Sequence, residues 1–221
     1  MKKAFIILLI IFLPLYLFLQ SIEINAFDKD FYLDSYKKYG VLEVSKKTLE
    51  ELDGITEDLL SYLRDKSDDS VLERHFNEKE VLHMRDVKIL FKYGFVLKNI
   101  SFVLSLISLG VLCYKGYFKS LGISLFYGPF IWWGGILTIF LLSLSDFNKY
   151  FTYFHLVFFD NDLWLLNPKT DLLIQMLPQE FFSSIFKKMI LLFLLMLVII
   201  QIIGYVVMRK GKNGSEKARR F

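Results

Sequence analysis

The sequence predicts an α-helical integral membrane protein: four transmembrane helices with a small extracytoplasmic cap of helices and short strands or loops. Three observations lead there. Four apolar runs approach or exceed the roughly 20 residues that a helix needs to cross hydrocarbon. The 221-residue chain is 54% hydrophobic and 17% aromatic, with 23 Phe, which is far from soluble-domain composition. Its Lys and Arg residues also fall unevenly among the connecting segments, as the positive-inside rule requires.

Residues 4–19 form the first span, preceded by Lys2 and Lys3 in the 1–3 cytoplasmic start. The run is short and follows positive charge, as in a signal peptide, but Ser21–Ala26 makes a poor cleavage site, so an uncleaved span is expected. The second span is 92–114, the third 121–144 and the fourth 189–208. Between them lie an extracytoplasmic segment (20–91), a cytoplasmic turn (115–120), an extracytoplasmic loop (145–188) and a basic cytoplasmic tail (209–221). The three cytoplasmic pieces hold ten of the 27 basic residues and one of the 23 acidic residues. The overall charge of +4 therefore divides into +9 inside and −5 outside, with both termini cytoplasmic. The basic tail reads as a topology and anionic-lipid anchor rather than a nucleic-acid site.

Within the spans, Lys98 lies close enough to the outer end for its stem to snorkel to the headgroups. Gly128-Pro129 and Gly134-Gly135 interrupt the third span, as a kink or as places of close helix approach. Cys113, the single cysteine, is expected to serve packing.

In the first outer segment, Thr48 and the series Leu49, Leu52, Ile55, Leu59, Leu60 and Leu63 have helical spacing behind a cap residue, although Gly54 weakens the middle. Tyr32, Tyr36 and Tyr39 recur at near-helical spacing and read as packing or as an interfacial belt. From Asn77 the pattern is a helix continuing into the second span, with Leu82, Val87, Leu90 and Tyr93 as its apolar face and with His83 and Asp86 on one side. The second outer segment is aromatic and turn-rich (Phe154, Phe158, Phe159, Trp164, Asn167-Pro168, Pro178) and reads as short strands or irregular loops.

His83 and His155 both fall close to the outer surface. A pair of imidazoles can take a proton from a nucleophile and give one to a leaving group near neutral pH. Asp86 can orient His83, and Arg85 and Asn161 can donate to a developing oxyanion. Two other readings stand beside this one: structural interfacial histidines, or a metal site of His83, Asp86 and His155. The second has neither an H-E-x-x-H helix nor a cysteine cluster behind it. No G-x-S-x-G elbow supports a serine nucleophile. His75, after the charged 65–73 stretch, reads as surface.

Two blocks carry a family resemblance. One is His83-Met-Arg-Asp86-Val-Lys88. The other is His155, Phe158-Phe159, Asn161, Trp164, Pro168, Asp171-Leu-Leu-Ile174, Pro178 and Phe181-Phe182. With the four-span layout, they resemble the bacterial lipoprotein intramolecular transacylases of Gram-positive species. The resemblance implies a cell-membrane enzyme with an extracytoplasmic site. Such an enzyme moves the sn-2 acyl chain of an S-diacylglyceryl cysteine to that cysteine's own α-amine, giving the N-acyl S-monoacylglyceryl (lyso) lipoprotein.

His83 and His155 match the family's histidine positions, and their assignment as base and acid stays open. Arg85, Asp86, Asn161, Trp164 and Asp171 are expected to support the site: Asp86 or Asp171 orients an imidazole, and Trp164 shapes the pocket. Expected partners are diacylglyceryl-modified lipoproteins and membrane lipid. No cofactor, metal or nucleic acid is expected, and the sequence does not fix an oligomeric state. The alternatives are a membrane-interface lipid ester hydrolase and a non-enzymatic membrane assembly or chaperone protein.

Overall fold

The computed structural model describes residues 1–217, with side chains through Lys210. Most of the proposed basic tail, 209–221, therefore lies outside the described side chains. The helices are α1 (Lys2–Ala26), α2 (Lys29–Lys38), α3 (Val41–Ser45), α4 (Leu49–Leu63), α5 (Ser70–Glu73) and α6 (Glu78–Tyr114). They continue with α7 (Phe118–Tyr127), α8 (Pro129–Ser145), α9 (Phe147–Phe158), α10 (Leu172–Met176) and α11 (Gln179–Lys217). Four stretches are long and apolar enough to cross a membrane: α1, α6, α7 with α8, and α11 through Lys210. At 1.5 Å per residue, the 37-residue α6 is about 55 Å long, whereas a hydrocarbon core is about 30 Å thick. Its charged first turns, with Glu78, Lys79, Glu80, Arg85, Asp86, Lys88 and Lys92, are the part that belongs outside that core.

The chain forms two compact units, and the long helices contribute to both. The first comprises Met1–Ile22, Val96–Leu141 and the chain from Met189. Its core joins Leu9, Leu112, Leu121 and Leu125. Ser101, Ser105 and Ser108 are buried, each hydroxyl turned back onto a carbonyl of its own helix, so these three hydroxyls are satisfied without water. A Cβ on Gly204 would lie 2.6 Å from Phe126 N, and one on Gly122 would lie 2.3 Å from Met208 N, so α7 and α11 touch backbone to backbone.

At the break Gly128-Pro129 the last-turn carbonyls of α7 face the end of their helix, and proline has no N–H to give. Gln201 answers it: its Nε2 donates to Phe126 O at 3.1 Å, and its Oε1 accepts from Trp133 Nε1 at 3.0 Å. Gly128 admits Ile10 of α1, whereas Gly134 and Gly135 face open space, so of these two interruptions Gly128-Pro129 marks a close approach. Cys113 is exposed on α6, which corrects its assignment to packing.

The second unit is Glu23–Phe95 with Leu142–Lys188. Thr48 and Glu51 form a reciprocal capping box at the start of α4. That helix buries Leu52, Ile55, Leu59, Leu60 and Leu63 as its spacing predicts, and Gly54 is accommodated. Tyr32 and Tyr36 are core residues, their hydroxyls bonded to Ala26 O and Thr56 Oγ1, which settles packing over an interfacial belt for these two. In 145–188 no strand forms among the described residues. Asp146 caps Lys149 N to start α9, and an irregular loop runs on to α10.

The backbone contact of α7 with α11 generates a prediction. Gly204→Val should lower the stability of the detergent-solubilised protein by about 1–3 kcal/mol, as overpacking does, while Gly134→Ala should leave it unchanged or slightly raised. Equal melting temperatures for the two variants would remove the close-approach argument.

Candidate functional site

The site begins at the first turn of α6. Asn77 caps this helix: Glu80 N donates to Asn77 Oδ1 at 3.1 Å, and Asn77 N donates to Glu80 Oε2 at 2.8 Å. The second oxygen of Glu80 reaches further. Leu173 N, in the first turn of α10, donates to Glu80 Oε1 at 2.6 Å. One carboxylate thus caps two helices. It is almost wholly buried; burial pushes its carboxyl above the ordinary range, while the Leu173 and Asn77 N–H groups pull the other way.

Asp171 completes the tie, accepting from Asn167 N at 2.8 Å, Thr170 Oγ1 at 2.8 Å and Asn77 Nδ2 at 3.2 Å. These donors hold its carboxyl below the ordinary range, the Asn167 N–H foremost. Lys79 Nζ donates to Leu165 O. The loop between α9 and α10 is thereby fixed to the start of α6.

On this turn of α6 the inward residues are Glu80, Val81, His83 and Met84, not the Leu82–Val87–Leu90–Tyr93 face, of which Tyr93 is exposed. His83 follows Glu80 by three positions and so shares its side of the helix. His155 is the buried residue of α9, a helix that otherwise exposes Tyr153, Phe154, Leu156, Val157 and Phe158. Its Nδ1 lies 2.7 Å from Phe151 O. A carbonyl only accepts, so Nδ1 carries the proton and Nε2 keeps the lone pair.

The two imidazole centroids are 6.2 Å apart, with Phe159 edge-on to His83 at 5.4 Å. Trp164 stacks on His155 at 4.7 Å and 24°, and Phe151 meets the imidazole edge-on at 4.5 Å. Among the described residues, two buried side-chain nitrogens lack a hydrogen-bond partner, His83 Nδ1 and Trp164 Nε1. Both belong to this cluster.

Burial sets the electrostatics. It pushes His83 down to about 4, with His155 adding repulsion and Asp86 opposing. Burial also lowers His155, against the pull of the Phe151 carbonyl. Neither imidazole is therefore a standing cation at neutral pH. Two protons on the pair at once are opposed by like charge as well as by burial.

The remaining sequence candidates are placed as follows. Asp86 accepts from Asn161 Nδ2 at 2.9 Å, linking α6 to the loop, and influences His83 through its charge. Arg85 Nε is paired with Asp69, and Asn161 gives an amide hydrogen to Asp86. Asp171 orients the loop rather than an imidazole. His75 pairs with Asp58 at 2.8 Å. No three His, Cys, Asp or Glu side chains gather as a metal site among the described residues, so His83, Asp86 and His155 do not form one. Glu80 was not singled out as a site residue, although the Asn77-x-x-Glu80 capping-box spacing carries its signal.

Two expectations follow. Glu80→Ala leaves buried N–H groups on two helices unpaired and should destabilise the protein by about 1–3 kcal/mol for each, read by thermal unfolding in detergent. The histidines predict an acid response. Their folded pKa values lie below the unfolded value of 6.5, so the unfolded chain binds protons first as pH falls. Stability should be intact above about pH 6.5 and decline toward pH 4, and His83→Gln should flatten the decline. Parallel curves for parent and variant would contradict the desolvation assigned to His83.

A model of the family described as lipoprotein intramolecular transacylase Lit matches residues 7–182. Among solved structures, the lipoprotein intramolecular transacylase Lit from Bacillus cereus is 19% identical, with a TM-score of 0.79 over 98% of each chain. Two variants of that protein, with a histidine replaced by arginine or alanine, give TM-scores of 0.78 and 0.77 at the same identity. The first of these covers 99% of this chain and 95% of its own, the second 96% of each. The likeness in fold thus extends over nearly the whole of each chain. No curated protein matches the sequence significantly. With about four fifths of its length matched by the family model, this membrane-integral chain belongs to the lipoprotein intramolecular transacylase Lit family.

Proposed function

We propose that this chain transfers the sn-2 acyl chain of an S-diacylglyceryl cysteine to the α-amine of the same residue, on the extracytoplasmic side of the cell membrane. The single observation that carries the mechanism is the buried His83–His155 pair, with the tautomer of His155 fixed by Phe151 O. His155 Nε2 takes the proton released as the amine nitrogen bonds to the ester carbonyl carbon. The bond from that carbon to the glycerol oxygen then breaks, and the proton passes from His155 through His83, on the leaving-group side, to the glycerol oxygen. No proton is gained or lost overall. Because both imidazoles rest neutral, the acid of the second half is made by the first half.

Holding amine and ester in contact supplies the rest, since well-aligned intramolecular reactions reach effective molarities of roughly 10⁵–10⁸ M. The exposed apolar side chains of α9 suit a helix lying in the membrane interface, which brings His155 to headgroup depth. The charge division, +9 against −5, supports an extracytoplasmic position for this unit.

His83→Ala and His155→Ala should each stay folded and membrane-inserted while reducing lyso-lipoprotein formation by about 10²–10⁴. The double variant should lose much less than the product of the two, and His75→Ala should match the parent. Mass spectrometry of lipoprotein N-termini should show two acyl chains before and after, one moved to nitrogen. Released fatty acid with no N-acylation would identify a hydrolase instead, and full activity in His155→Ala would sink the pair. For orientation, a cysteine placed at Asp68 should react with an impermeant reagent outside the cell, and one at Lys119 should not; the reverse would turn the site to the cytoplasm.

A further inference from the structure

We infer that Trp164 is a catalytic residue of this reaction: its indole N–H holds the sn-2 ester carbonyl oxygen as that oxygen becomes negative. The assignment rests on the acyl-transfer reading above and adds to it a donor for the oxyanion. As nitrogen bonds to the carbonyl carbon, the C=O π pair moves onto oxygen. That charge persists until the pair returns and the glycerol oxygen departs with the C–O electrons. An oxyanion formed away from water needs a preorganised donor.

Other donors on these segments each make a bond within the protein. Arg85 is paired with Asp69, an amide hydrogen of Asn161 goes to Asp86, the Leu173 N–H is taken by Glu80, and His155 Nδ1 is bonded to Phe151 O. Trp164 Nε1 is buried and has no partner. An indole nitrogen only donates, so it is matched by an acceptor and by nothing else.

Its placement is the one that the chemistry requires. The amine nitrogen and the carbonyl oxygen sit on the same tetrahedral carbon, so base and oxyanion donor have to stand side by side, each about 3 Å from its atom. The stack on His155 at 4.7 Å puts the indole ring beside the imidazole that serves as base. With 24° between the ring planes, the N–H runs nearly parallel to the imidazole plane, so His155 does not take it up.

The test is to replace Trp164 in the full-length protein, in lipid nanodiscs, by β-(3-benzothienyl)alanine. This residue keeps the bicyclic shape and the stack and exchanges N–H for sulfur. Turnover of a synthetic diacylglyceryl lipopeptide should fall by about 10²–10³, as for loss of one oxyanion donor, with KM within a few-fold of the parent. A lipopeptide carrying a thionoester at sn-2, whose sulfur is a poor hydrogen-bond acceptor, should slow the parent strongly and the variant little. Turnover within threefold of the parent, or an equal thionoester penalty in both proteins, would overturn the assignment and leave the indole as packing. His155→Ala is run in parallel: parent-like activity there would overturn the acid–base reading itself, and the assignment with it.

Discussion

Much of the second unit hangs on a buried carboxylate used twice. Glu80 closes the capping box of α6 with one oxygen and receives the first-turn N–H of α10 with the other. The N-termini of two helices, each with backbone donors that need acceptors, are thus satisfied by a single anion lying near the positive ends of both. Asp171 and Asn77 extend the tie into the loop that carries Asn161 and Trp164. A loop this irregular would ordinarily be mobile. Here its backbone is bonded to the helix that presents His83, so groups from distant parts of the sequence share one frame.

Within that frame, desolvation does the chemical tuning. The aromatic residues around the imidazoles offer little to solvate a charge, and neutrality follows from burial. A neutral imidazole of low basicity is a weak trap for a proton. It can accept one from a nitrogen that turns acidic on attack and lose it again in the same encounter. The indole stacked on His155 and the carbonyl below its Nδ1 leave the ring one functional nitrogen, so direction comes from the surroundings rather than from the histidine itself.

The four long apolar stretches and the α4 face were legible because hydrophobic length and period are local properties. The two histidines were legible as candidates because few groups titrate near neutrality and because they stand in family-like blocks. What the sequence hid was long-range pairing. Nothing local says that Arg85 turns to Asp69, that Asp86 serves Asn161, or that Glu80 reaches α10; each depends on where the chain returns. The helical state of 147–158 was also obscured. Eight of its twelve residues are Phe, Tyr, Thr or Val, which argues for strand or loop, and the Asp146 cap and tertiary packing override that preference.

Gln201 has a consequence for how the first unit assembles. In hydrocarbon, burying one apolar surface against another gains little, since lipid is as good a neighbour as leucine. An amide engaged at both ends does discriminate one helix register from another. Its donor is fixed to the Phe126 carbonyl and its acceptor to the Trp133 indole, which rules out a flipped amide as well as a shifted helix. Sliding α11 by one turn would strand an amide, a carbonyl and an indole N–H together. The spans therefore have a single correct alignment written in polar atoms, and a misaligned bundle would expose several unmet hydrogen-bonding groups to lipid at once.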